Sequence, residues 1–228
     1  LIGAVGESSV LSIMPALAAA LRRWKDLLVC AIVVEPVLPS GAVEATITEA
    51  TIEQLAAATE VLVTLPRDSF DVELMERPLP ALYAEIEKAL RLSAETLAGA
   101  LSSDTAAALS VSALRNALRG GGALRVGVGA GRGQDAAAQA LRHAIARLQQ
   151  ADSPAGLVAA IMSGRELSIS TAQTMLEELR GVCPSPLLGC SSGSAQADEA
   201  FCLVMTKYAG SRNVVPLHAS APRAAVLR

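Results

Sequence analysis

Residues 125–145 read RVGVGAGRGQDAAAQALRHAI: a β-like run, glycines at every second position from Gly127 to Gly133, then an amphipathic helix. Strand, glycine-rich turn and helix, in that order, are the layout of a nucleotide-phosphate site. The spacing argues against one. A dinucleotide fingerprint needs glycine at relative positions one, three and six. Here Gly127 and Gly129 are followed by Arg132, and Gly129 and Gly131 by Gln134, so neither frame closes. No Lys-Ser/Thr pair follows either, which excludes a phosphate loop of the common NTPase kind. The run is expected to be a structural turn between a strand and a helix.

The rest of the chain sets the context. Its 228 residues suffice for one large or two small domains with true cores. Hydrophobic residues make up 52% and aromatics only 2%, so the core must be Ala, Leu, Val and Ile. A net charge of −3 gives no electrostatic reason to expect nucleic acid. Cys30, Cys183, Cys190 and Cys202 show no metal-ligand spacing, and free apolar thiols fit a reducing compartment. No apolar run approaches the ~20 residues of a membrane span. Leu1 opens in mid-pattern, as expected of a fragment or of a chain whose leader has been removed.

Two continuous apolar runs, DLLVCAIVVEP and EVLVTLPRD, read as buried parallel strands. The helical patterns VLSIMPALAAALRRW and 46–59 alternate with them, and a long helix spans Leu79 to Leu101. That alternation means α/β with a parallel sheet. Beyond it come helices at 111–119, 134–149 and 168–180, and β-like runs ALRVGVGA, AGLVAAIMSG, SPLLGCSS and EAFCLVMTKYAG. These describe an α+β subdomain of four strands with two helices on one face. The expected organisation is a partial nucleotide-binding-type α/β domain (1–78), a linking helix and loop (79–110), the α+β subdomain (111–210) and a tail (211–228).

Several strings then resemble the FtsZ/tubulin superfamily, bacterial or plastid FtsZ above all. VVEPVLPSG is similar to the family's VTKPFxFEG, and Gly41 through LVTLPRD to its GKKR…LITIPND without a gap. GVGAGRGQDAAAQALRHAI resembles GSGxASGEDRAxEAAxxAI, and AGLVAAIMSGRELSISTAQTMLEEL resembles GVLVNITAGxDLxLxEFxxV. The likeness runs from about Gly3 to Gly210. It implies the parallel-sheet remnant of a GTPase domain, a central helix and a four-stranded C-terminal subdomain, with the glycine run belonging to that subdomain.

The resemblance also places a nucleotide face, and the residues there have the wrong chemistry. The family's GGGTGTG loop, counted back from Pro15, falls on Gly6-Glu7-Ser8-Ser9-Val10-Leu11-Ser12. One glycine remains, and Glu7 stands where phosphate oxygens would sit. The ribose-binding acid becomes Ser40, and the phosphate-facing Arg becomes Glu44. The guanine-reading Asn-Asp pair becomes Glu87-Lys88, and an ammonium has no acceptor for guanine's N–H groups. The Asn and two Asp positions of the family's catalytic NxDxxD, aligned through Arg115, fall on Ala108, Ser110 and Ala113, with Asp104 nearby but out of register. The family's domain opens with three further strands, so the half-sheet here would expose an edge needing cover.

Other chemistry-bearing residues read as structural: His143 as a solvated helix-surface residue, Glu177-Glu178 as a helix surface, CSSGS at Cys190–Ser194 as a strand-to-turn, and Trp24 as a packing cap. No catalytic residue and no metal ligand is expected. The leading expectation is a catalytically inactive FtsZ-like protein acting through protein contacts, with no cofactor, in bacterial cytoplasm or plastid stroma. Its partners would be FtsZ-like subunits or a larger assembly covering the open edge. The alternatives are a GTP- or GDP-binding, filament-forming GTPase with a rebuilt site using Lys88 and Arg67, and an accessory subunit of a complex unrelated to division.

Overall fold

The computed structural model describes residues 1–4, 8–35, 41–65, 78–102, 107–118, 124–148, 154–165, 167–193 and 197–207, without the side chains of 4, 8–12, 42 and 44. The two expected apolar runs are strands. β1 (Ile2–Ala4), β2 (Cys30–Val34) and β3 (Val61–Leu65) form a parallel sheet in that order, with Ile2 and Val63 flanking Ile32. The crossovers are α1 (Ser8–Leu21) and α2 (Ala42–Ala58). Both lie on one face, where Met14, Ile52 and Leu55 meet Ala31, Val33 and Leu62. Helix α2 begins before the expected residue 46, because extended Gly41 stands at its N-cap and frees the turn ahead of the apolar periodicity.

Helix α3 (Leu79–Leu101) has the bounds its periodicity predicts, with proline in its first turn, where no intrahelical N–H partner is lost. It covers the other face of the first sheet and one face of a second. A single core therefore contains Leu82, Ile86, Leu90 and Leu97 together with Val34, Val63, Val128, Ala160 and Leu203. The second sheet holds β4 (Arg125–Arg132), β5 (Gly156–Ser163), β6 (Leu187–Ser192) and β7 (Glu199–Lys207) in the order β4-β7-β5-β6. Strands β5 and β6 are parallel, and β7 is antiparallel to both of its neighbours. A short helix, α4 (Val111–Ala117), precedes it, and α5 (Ala136–Arg147) and α6 (Ile169–Arg180) share its outer face, as expected.

The glycine run differs from its reading as a turn. Gly127, Gly129 and Gly131 all lie inside β4 and face α5; only Gly133, with φ 87°, makes the turn. A Cβ on any of the three strand glycines would stand 2.0 Å from a helix carbonyl: that of Ala144, Ala140 or Ala136 respectively. The pairing works because two strand residues advance about 6.7 Å and four helix residues about 6 Å, so an i, i+2 glycine row runs beside an i, i+4 alanine row.

Trp24 also departs from expectation. It is 69% exposed just past α1 and caps no core, because no described element packs over it. Around α1, at about 100° per residue, Met14 and Ala18 point to the sheet. Arg22, whose guanidinium donates to the Ala57 carbonyl, marks the side of α2. Ile13, Leu17 and Ala20 fall on the opposite flank, away from α2 and toward the outer edge of β1. Ile13 is 60% and Leu17 43% exposed.

One ion pair ties α4 to the first sheet. Arg115 donates from Nε to Glu60 Oε2 at 2.5 Å and from its terminal nitrogen to Glu60 Oε1 at 3.1 Å and to the Leu27 carbonyl at 2.9 Å. This two-pronged contact holds the Glu60 carboxyl below its ordinary value of 4.5. A depressed carboxyl stabilises the fold above the unfolded value, and that contribution is lost as pH falls through the folded one. Glu60→Gln should therefore be less stable than the native chain at pH 7, with the gap closing below about pH 5 in urea unfolding at stepped pH. Gly129→Ala should cost about 2–3 kcal/mol in the same measurement, since its Cβ meets backbone rather than a movable side chain. Gly133→Ala should cost about 1 kcal/mol, because its backbone angle alone is at stake.

Candidate functional site

Of the positions on the implied nucleotide face, Gly6 and Ser40 lie outside the described residues, as do Arg67 and Asp104. Ser8 and Ser9 are described in backbone only, opening α1, and Glu44 likewise in the first turn of α2. Lys88 is described in full. It is exposed on α3 and, among the described residues, has no hydrogen-bond or ion-pair partner.

Lys88 lines a groove of about 600 Å³ between α3, the end of β4, the outer side of α5 and the start of β7. Arg91 follows one turn along α3, tethered to Glu95 at 2.9 Å. Arg132 enters from β4, held by Glu199 at 2.8 Å. His143 on α5 places Nδ1 2.8 Å from the Ala130 carbonyl. A carbonyl can only accept, so Nδ1 carries the proton and the free ring nitrogen is Nε2. Phe201 lies at the base of the groove and is nearly buried.

His143 is exposed as expected, but its bond to β4 escapes a sequence reading. Arg147 donates to the Val128 carbonyl at 3.2 Å, so the i, i+4 pair His143 and Arg147 occupies backbone carbonyls of the outermost strand. The available signal was the polar i, i+4 row beside the alanine row of α5.

The described part of the implied catalytic loop is held by backbone bonds. The Leu109 amide donates to the Ala100 carbonyl at 2.6 Å, and the Cys190 amide donates to Ala107 at 3.0 Å, pinning the segment between α3 and β6. Ala108 is exposed and carries no functional group. Ser110 is the N-cap of α4, its Oγ accepting from the Ala113 amide at 3.0 Å. Glu178 pairs with Arg142 at 3.2 Å rather than with exposed Glu177.

All four cysteines are free. Burial pushes Cys30 and Cys190 up to about 11, and Cys202 higher still, so these thiols are poor nucleophiles at neutral pH. Among the described residues no three His, Cys, Asp or Glu side chains gather to hold a metal, and no helix is long and apolar enough to cross a membrane. If capping is the work of residue 110, Ser110→Ala should cost about 1 kcal/mol and Ser110→Asp almost nothing, since Asp caps as well as Ser, by chemical denaturation.

The sequence matches no protein-family model and no curated protein. Among solved structures it is similar to the FtsZ dimer of M. jannaschii, at 18% identity and a TM-score of 0.78, over 90% of this chain and 62% of that one. It is also similar to CetZ1 of Haloferax volcanii, at 15% identity and a TM-score of 0.68, over 95% of this chain and 65% of that one. For CetZ of Methanosaeta thermophila the values are 16% and 0.64, over 91% and 59%. The chain thus spans about three fifths of the length of these proteins. The fold of the chain is FtsZ-like.

Proposed function

We propose that this chain is a pseudo-GTPase of FtsZ type, which works through protein–protein contacts as a regulator or scaffold of filaments in cell or plastid division. The observation that carries the reading is Ser110. At a position where the resemblance implies a catalytic acid stands a hydroxyl already engaged as a helix cap. A capping serine neither orients nor deprotonates an attacking water as a carboxylate would. Lys88, at the implied guanine-reading position, offers donors where acceptors are required. The substitutions at Ser8, Ser9, Ser40 and Glu44 support it in the same sense, as residues unsuited to a nucleotide's phosphates and ribose, with Gly6 alone keeping the family's residue.

In this reading the partner is an FtsZ-like subunit.

Calorimetric titration with GTP tests the central claim. The expected result is no binding tighter than about 0.1 mM. Micromolar binding would overturn it and favour a GTP-binding filament former.

A further inference from the structure

We propose that the groove between α3 and the second sheet binds a small organic phosphate, its phosphate among Lys88, Arg91 and Arg132 and its apolar or aromatic body on Phe201. The inference does not depend on the inactivity of the nucleotide face.

Charge distribution is the first support. The chain has 22 acidic and 19 basic residues, so its average surface carries no basic excess. Yet three basic side chains and a histidine line this one, from α3, β4 and α5, against one acid, Glu199. The acid orients its neighbour more than it neutralises the groove. Arg132 gives Glu199 contacts at 3.0 Å and 2.8 Å, and Arg91 is steadied by Glu95 in the same way. A guanidinium has five N–H donors, so each retains several.

His143 adds a fixed wall. Its Nδ1–H is committed to the Ala130 carbonyl at 2.8 Å, which fixes the ring.

Donors arriving from both α3 and β4 suit the spread terminal oxygens of a phosphate better than the flat pair of a carboxylate. The volume, about 600 Å³, lies within the usual range for small-molecule sites. Phe201 gives the base an aromatic surface and, being 8% exposed, is held in place by the core.

Phenyl phosphate is the probe, titrated calorimetrically into the 228-residue chain at low salt, with inorganic phosphate alongside. Sub-millimolar binding, about tenfold or more tighter than inorganic phosphate, is expected. Lys88→Glu and Arg91→Ala should each weaken it about tenfold or more; both positions are exposed, and the circular dichroism spectrum checks that each variant folds. Arg142→Glu, which faces Glu178 on another side of α5, should leave binding unchanged. No binding at about 10 mM, full binding by Lys88→Glu, or inorganic phosphate binding as tightly as phenyl phosphate would each overturn the proposal.

Discussion

The close approach of α5 to β4 is the constraint from which much of the second sheet follows. A helix normally rides above a sheet on the side chains of both. Here three glycines remove the strand's side chains, and Ala136, Ala140 and Ala144 keep the helix's short, so backbone lies nearly on backbone. That contact admits no larger residue on either side and fixes the register between them. With the register fixed, the next row of α5 stands over the carbonyls of the same strand, which is why His143 and Arg147 reach Ala130 and Val128. The row that seals the outer strand is the same one that brings His143 into the groove.

Helix α3 is the other organising element, a wall shared by two sheets. Its 23 residues turn one set of side chains to the first sheet and another to the second, so neither sheet could keep its inner face dry without it. Small residues let it come close at its end. A Cβ on Gly99 would lie 2.6 Å from Ser191 Oγ, and one on Gly189 would meet Leu109. The segment after α3 is therefore packed tightly before α4 begins, and the Ser110 cap is the local means by which the chain restarts a helix there. Glu60 and Arg115 add a polar tie across the same junction.

The amino-acid pattern by itself determined the α/β class, the apolar runs that become β2 and β3, both ends of α3, and the order of elements shared with FtsZ and CetZ. Those features depend on local periodicity and on breakers such as Pro36, Pro66 and Pro78, which act through neighbouring residues. The glycines of β4 were legible as unsuited to a nucleotide but not as strand residues, because a residue without a side chain contributes nothing to an apolar alternation. Trp24 was misjudged for a related reason: bulk says that a residue can be buried, and only the surrounding elements decide whether it is. The candidate site divides in the same way. That Lys88 lacks the acceptors guanine needs is a property of its side chain; that it stands with Arg132 and His143, far away in sequence, depends on how α3 and α5 are docked against the second sheet, and packing alone decides that.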